Sequence, residues 1–393
     1  LYRLWANDRT RFGVKMTVSG QARRYRLRST ASAARQKERT PRHALPIVAG
    51  AHTMGGMHRN EMRLDPLTDE WTLFSESRAH QPTAPSVLEE HSAQAAANPF
   101  IGGFEHYVPH TLYQAEAHTG GRVRVVPNRA PVLRVEGDAT RHGEGFYDHM
   151  DGVGAHEVII ETADSRALET LGPAHIVEVV RAWRSRMIDL MRDVRLRSFS
   201  IVKSVGRPAG ALLPHSASQL VAMAVIPSRL KRKLEVARAF YQHKKRSIFE
   251  DILGEEIRTG TRIVYENNGF CGFCPYASRS PFEMVVYPKR QVCDFHATNE
   301  EEDVQLADMI HVALTKINGA LDHPPYQLML STAPTRTTRQ DHWSTLERDF
   351  RWHIEIVPRL YPPSALELAT GSWVNGVWPE VAAEYLRGIK VPE

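Results

Sequence analysis

The stretch Gly210-Ala-Leu-Leu-Pro-His215-Ser-Ala217-Ser-Gln219-Leu220 decides how this chain is read. Its second half alternates like a strand, and alternate residues of a strand point to one face. His215, Ala217 and Gln219 therefore project together into one site. A histidine at the middle position could attack a phosphorus atom while the glutamine steadies phosphoryl oxygens. Ala217 can do neither. The stretch marks out a site and lacks the group that would act in it.

Working outward, residues 198–204 read as the preceding strand, joined to this one by the turn Gly206-Arg207-Pro-Ala-Gly210. Leu168, Leu171, Ile176, Val179, Val180, Trp183, Met187 and Leu190 recur at helical spacing and predict a helix over 166–194. Gly121 to Asn128 alternates like a strand, and His156 to Glu161 resembles its hairpin partner. After a predicted long helix over 229–253 the order recurs. Strands at 261–268 and 282–288, a helix over 299–321 and strands at 326–332 and 350–358 follow. Such duplication is itself an architectural signal. Two copies of an antiparallel sheet with a flanking helix predict an α+β fold. The expected divisions are a basic, disordered tail over 1–57, a first half over 58–228 and a second over 229–393, the halves forming one continuous domain.

With 393 residues, 42% apolar and 24% charged, the chain can bury a substantial core. No apolar run approaches the length of a membrane span. Residues 1–53 hold 12 of the 50 basic side chains and 2 of the 45 acidic ones, a balance of +10, so the remainder carries −5. A nucleic-acid surface would have to lie in that tail, and nucleic acid is not an expected partner of the body. The tail lacks the apolar core of a secretory signal. It reads as an extension ahead of a start at Met54, Met57 or Met62. Cys271, Cys274 and Cys293 are too few for a disulfide scaffold and suit a reducing cytoplasm.

Six blocks carry a family resemblance: Arg63-Leu-Asp-Pro-Leu-Thr-Asp-Glu-Trp71, Val125-Val-Pro-Asn128-Arg-Ala-Pro131, Gly154-Ala-His-Glu-Val-Ile-Ile-Glu161, Val205-Gly-Arg-Pro-Ala-Gly-Ala211, Pro275-Tyr-Ala-Ser-Arg-Ser-Pro-Phe-Glu283 and Trp352-His-Ile-Glu-Ile-Val-Pro-Arg359. In this order they resemble the galactose-1-phosphate uridylyltransferase family, duplicated members of the histidine-triad superfamily, over roughly 60–390. The resemblance implies a duplicated histidine-triad-like module of antiparallel sheets with flanking helices. In active relatives the second histidine of a His-x-His-x-Gln strand attacks the α-phosphorus and becomes a nucleotidyl-histidine. The first histidine is usually a zinc ligand, completed by a Cys-x-x-Cys pair and one more histidine. Here His215 and Gln219 match, and Ala217 stands at the nucleophile position. Asn98 to Ile101 aligns with the cysteine pair and Ser165 with the other histidine, so one zinc ligand of four remains. Ser204 stands where relatives have a phosphate-contacting Asn. The second metal site of some relatives does not carry over: His353 matches, and Lys233 sits where a carboxylate is needed. No cofactor is expected.

Each remaining candidate has a bland reading beside the functional one. His215 is either a leftover imidazole in the pocket floor or a group recruited as acid, base or nucleophile. His353 and Glu355 share a strand face as an oriented acid–base pair, or serve as structure. Cys271, Cys274, Cys293 and His296 have the spacing of a Cys3His zinc site. Strand alternation, however, turns Cys271 and Cys274 to opposite faces, and buried free cysteines are common. Arg207 in its glycine turn, with Arg78 and Asn128, could approach a phosphate.

The expected catalytic groups are thus His215, His353 and Glu355, and the ligand-binding groups Arg78, Asn128, Ser204, Arg207 and Gln219. Three functional readings stay open. One is a repurposed enzyme acting on a nucleotide-like or sugar-phosphate-like ligand without a nucleotidyl-histidine. The second is an inactive binding or regulatory protein. The third is a nucleotidyltransferase with a different nucleophile. A phosphorylated small molecule is the expected partner, no membrane is involved, and the resemblance implies a homodimer.

Overall fold

The computed structural model describes residues 60–75, 98–101, 108–117, 121–336 and 343–392. The expected tail over 1–57 and Arg78 lie outside these residues. A hairpin of β1 (Asn60–Leu64) and β2 (Trp71–Ser75) begins the described chain. The first half follows with β3 (Tyr113–Glu116), β4 (Arg122–Pro127), a small ribbon of β5 (His142–Glu144) and β6 (Tyr147–His149), β7 (Gly154–Ile160), helix α1 (Pro173–Leu190), β8 (Ser198–Val205) and β9 (Ala217–Met223). Helices α2 (Ser228–Lys244) and α3 (Ile248–Thr259) lead into the second half. That half contains β10 (Ile263–Glu266), β11 (Phe270–Phe273), β12 (Met284–Pro288), α4 (Glu300–Leu321), β13 (Tyr326–Ser331), the short α5 (Leu346–Asp349) and β14 (His353–Pro358). Helix α6 (Ala365–Thr370), β15 (Trp373–Asn375) and α7 (Pro379–Gly388) end it.

The duplication is visible in the strand order. Read outward from the centre, one half runs β8-β9-β7-β4-β3 and the other β13-β14-β12-β11-β10. The halves do not keep separate sheets. Strands β8 and β13 pair antiparallel, Tyr326 opposite Val205 through Ser331 opposite Ser200, and fuse them into one ten-stranded sheet. The His215 strand and the His353 strand are therefore equivalent positions, β9 and β14, with two strands between them.

One face of the sheet is the main core. Ile159, Ile201, Leu220, Ala222, Leu328, Leu330, Ile354 and Ile356 pack there against Trp183 and Met187 of α1 and Ile310, Ala313 and Ile317 of α4. Trp183 is fully buried, and its indole N–H donates to Ser218 Oγ at 2.8 Å, which leaves its polar tip satisfied. Helix α4 starts on a capping box in which Asn299 and Glu302 satisfy each other's backbone amides.

The opposite face is roofed unevenly. Over the second half, α2 and α3 cover it through Leu234, Phe249 and Leu253, packed on Cys271, Phe273, Val285 and Tyr287. Over the first half the described residues supply a small apolar group, Val126, Val158 and Ile160, with Phe100, Val108 and Ala217 against it. The middle of this face is consequently half exposed.

Two predicted helices are interrupted. The 166–194 helix is a short 3-10 turn, Leu168–Leu171, and then α1, separated at Gly172 with φ 77° and restarted by Pro173. The 229–253 helix is α2 and α3. Lys245 takes a left-handed φ of 61° and its N–H closes on Tyr241 O, while Glu250 and Asp251 occupy the first turn of α3, where the helix dipole favours them.

Beyond the main sheet, β15 joins β2 in parallel to make a three-stranded sheet. Arg63 of its edge strand β1 packs among aromatic rings. The guanidinium lies 4.3 Å from the Tyr276 ring, 4.8 Å from Trp378 and 5.1 Å from Phe74, and donates to Tyr276 O and Glu380. No helix among the described residues is long and apolar enough to cross a membrane.

Candidate functional site

Strand pairing assembles the half-exposed floor. Val158 of β7 and Val202 of β8 both lie opposite Gln219, which sets the register across the three strands. By the period of two, His156, Val158, Ile160, Ala217, Gln219, Val221, Ser200, Val202 and Ser204 share one face. Gln327, Met329 and Ser331 of β13 continue it. The sequence expectation that His215, position 217 and Gln219 face one site agrees with this register.

The head of β9 is fixed from beneath. Lys203 Nζ donates to Glu161 Oε2 at 2.5 Å and to Ser216 Oγ at 3.0 Å, and Ser216 Oγ donates to the same carboxylate at 2.7 Å. All three groups are buried, so this small network ties the end of β7 to β8 and β9.

His215 sits on that anchor, buried and with both ring nitrogens engaged. Nε2 donates to Thr162 O at 2.9 Å, and Nδ1 accepts from Asn98 Nδ2 at 3.2 Å. Phe100 packs edge-on against the ring. Burial pushes the imidazole pKa down, against the opposing hydrogen bond to Thr162. Asn98 uses its oxygen elsewhere, accepting from Phe100 N at 3.0 Å. It presents an N–H donor, not a lone pair, toward His215. Ser165 is exposed. This donor set does not fit a zinc ion.

Ala217 packs against the apolar group of Val126, Val158 and Ile160, as Phe100 and Val108 do. Two residues along, the surroundings become polar. Gln219 Oε1 is 2.6 Å from His156 Nε2, and Asn128 Nδ2 is 3.1 Å from the same nitrogen. The other ring nitrogen, Nδ1, accepts from Val132 N at 3.3 Å. Asn128 N also donates to His156 O at 2.8 Å, so strand pairing itself holds the two together. Asn128, Gln219 and Ser204 thus lie together on this part of the sheet. Arg207 is exposed at the rim, in the turn Arg207–Ala209. Gly206 holds that turn with φ 79°, and a Cβ there would lie 2.8 Å from the Pro325 side chain. The turn is tied to the second half by Gln327 Nε2, which donates to Ala209 O, while Arg359 donates to Gln327 Oε1.

His156 is the residue that sequence reading passed over. It stands inside a quoted block, but its place beside Gln219 depends on the pairing of strands 63 residues apart.

His353 and Glu355 share the same sheet face but lie three strand spacings from β9, about 14 Å, under α2 and α3. Lys233 of α2 reaches down to both: its Nζ donates to His353 Nε2 at 2.7 Å and to Glu355 Oε1 at 2.9 Å. His353 Nδ1 donates to Arg351 O at 2.9 Å. Arg279, itself paired with Glu283, lies 3.5 Å from Glu355. His353 is 1% exposed, Glu355 7% and Lys233 2%. Burial and then the Lys233 charge lower the His353 pKa to about 3. Burial alone would raise the Glu355 pKa, but Lys233 and Arg279 hold it far below the usual carboxylate range. The expectation of an acid–base pair meets a locked ion cluster: the imidazole has no free nitrogen and the carboxylate is neutralised by internal cations.

The cysteines separate as alternation predicts. Cys274 lies in the α1/α4 core, and Cys271 and Cys293 in the α2/α3 cluster. Burial raises the thiol pKa of Cys271 and of Cys293 to about 12. Cys293 Sγ accepts from Arg336 at 3.0 Å. Cys271, Cys274, Cys293 and His296 form no ligand shell, and no group of three or more His, Cys, Asp or Glu that could hold a metal ion occurs among the described residues. A groove of about 440 Å³ between the start of α2 and the β1–β2 turn is lined by mixed charges, including Arg229, Arg232 and Glu235, and by none of the expected site residues.

No protein-family model matches the chain. The ADP-glucose phosphorylase of Arabidopsis thaliana is 27% identical over 358 residues, covering 90% of this chain and 99% of that one. The galactose-1-phosphate uridylyltransferase of Thermotoga maritima is 29% identical over 343 residues, 84% of this chain and 99% of that protein. The crystal structure of the Arabidopsis ADP-glucose phosphorylase with bound ADP-glucose superposes with a TM-score of 0.72 at 26% identity, covering 85% of this chain and all of that one. A GALT-like protein from the same plant gives 0.70 at 25% identity over 84% of this chain. The chain is related in sequence and in fold to these nucleotidyl- and phosphate-transfer proteins.

Proposed function

We infer that this chain, a relative of the galactose-1-phosphate uridylyltransferases and of ADP-glucose phosphorylase, holds a phosphorylated nucleotide-like ligand on the half-exposed floor around Gln219. It handles that ligand without forming a nucleotidyl-histidine at position 217. One observation carries the reading: the polar group of Gln219, His156 and Asn128 stands beside an apolar group that includes Ala217. A nucleoside phosphate has the same division, an apolar base next to a polar phosphate, and sites of this kind combine apolar walls with a few fixed polar groups. The bound ADP-glucose of the plant relative is a ligand of that type.

Binding without turnover is the second reading. It is favoured by His215 and His353, whose four ring nitrogens are all engaged in hydrogen bonds. A cytoplasmic homodimer is part of the proposal. Phe146, 95% exposed, and Leu212, 92% exposed, offer apolar surface to a second copy, and three buried free cysteines suit a reducing compartment.

The test is a thermal-shift titration with ADP-glucose and UDP-glucose, with intact-protein mass spectrometry and phosphate-ester analysis of every sample. A rise in melting temperature without a covalent nucleotide on the protein is expected. Consumption of the ligand distinguishes a repurposed enzyme from a binding protein. A nucleotidyl adduct on the protein, or the absence of any shift, overturns the proposal.

A further inference from the structure

The geometry points to His156 as the positioning residue that decides what sign of charge the floor accepts; the inference rests on the nucleotide-site reading above. A glutamine amide can turn either end toward a ligand, and the choice follows from what holds the other end. Here His156 makes the choice. Its Nδ1 accepts from the backbone N–H of Val132, which places the ring proton on Nε2. That Nε2–H is aimed at Gln219 Oε1 at 2.6 Å. The glutamine oxygen is thereby occupied, and its NH2 group remains, with no partner among the described residues.

Asn128 too is anchored through its oxygen, by a different partner. Its Oδ1 accepts from Ala130 N at 2.9 Å, which turns its NH2 group toward His156. Because the His156 Nε2 carries a proton, that NH2 group does not donate to it. Both amides on this part of the floor are therefore anchored through their oxygens, and while the Asn128 NH2 group stays turned toward the ring, the Gln219 NH2 group is the donor left to face a ligand. A patch that offers donors and no lone pairs suits an oxyanion, such as a phosphoryl group, and repels a cation. With the other histidine tautomer, Nε2 would accept, the Gln219 amide would turn over and its oxygen would face the ligand. His156 touches no reacting atom in this scheme; it acts through Gln219, as outer groups orient inner ones elsewhere.

Two measurements test this. Long-range 15N–1H NMR of histidine-labelled, ligand-free protein, assigned with His156→Asn, is expected to show His156 protonated on Nε2 and bare on Nδ1. Calorimetric titration then compares ADP-glucose with adenosine, which has no phosphate. His156→Leu is expected to weaken ADP-glucose binding by ~10-fold, the loss of about one hydrogen bond, and to leave adenosine unchanged. His156→Asn, which can still donate to Gln219, should recover most of the loss. An Nδ1–H tautomer, or equal losses for ADP-glucose and adenosine, overturns the role of His156. Wild-type protein that binds neither compound overturns the nucleotide-site reading instead, and the tautomer alone then decides the present inference.

Discussion

Mild acid should weaken this fold through His353. The ring is buried and neutral, with a pKa of about 3 against an ordinary 6.5. Because the folded pKa lies below the unfolded one, the unfolded chain takes up this proton first as pH falls. Stability from this group is therefore complete above 6.5 and declines as pH falls from 6.5 toward 3. One proton is worth about 1.4 kcal/mol per pH unit, so His353 should cost about 2 kcal/mol between pH 7 and pH 5. His215, lowered by burial, acts in the same direction. Glu256, Asp303 and Asp349, raised by burial, act in the opposite one. The clean measurement is consequently a difference. Urea unfolding of wild type and His353→Gln at pH 7 and pH 5 isolates the histidine, since the glutamine oxygen can still accept from Lys233. The wild type should lose about 2 kcal/mol more than the variant over this interval. Equal losses would mean that His353 is not held neutral by burial and Lys233, and the account of the ion cluster would fail.

Other positions give independent checks. Arg63→Lys keeps the charge but loses the planar fork and the ring stacking, and should cost about 1–3 kcal/mol, seen as a lower melting temperature and altered tryptophan fluorescence. Asn98→Asp replaces the donor to His215 with a carboxylate and should raise the His215 pKa, measured by NMR titration; an unchanged value would argue against the Asn98–His215 contact. Lys316 donates to the carbonyls of Leu386, Arg387 and Ile389 at the end of α7. Lys316→Met should therefore speed amide exchange over α7 and lower stability by about 1–3 kcal/mol, leaving the main sheet protected.

How much of this was legible beforehand depended on range. The repeated element order, the shared face of His215, Ala217 and Gln219, and the opposite placement of Cys271 and Cys274 all follow from local periodicity. The break between α2 and α3 had a local signal too, Ser247 followed by Glu250 and Asp251, which the continuous run of Lys and Arg obscured. What stayed hidden needed register between distant segments. His156 meets Gln219 only because Val158 pairs with Gln219. Lys233 meets His353 across 120 residues, turning a supposed acid–base pair into an ion cluster. The parallel pairing of β15 with β2 is likewise invisible to any local pattern.

That last pairing has a consequence for how the polypeptide is made. Arg63 and β2 emerge from the ribosome well before their partners Trp378, Glu380 and β15. Some 300 residues separate them, and at 5–20 residues per second their synthesis takes on the order of tens of seconds. During that time Met62, Leu64 and Trp71 belong to a strand pair with neither its third strand nor its cation box. The beginning of the fold must wait for its end, and a chain stalled or truncated before residue 373 would leave that pair exposed to chaperones and proteases.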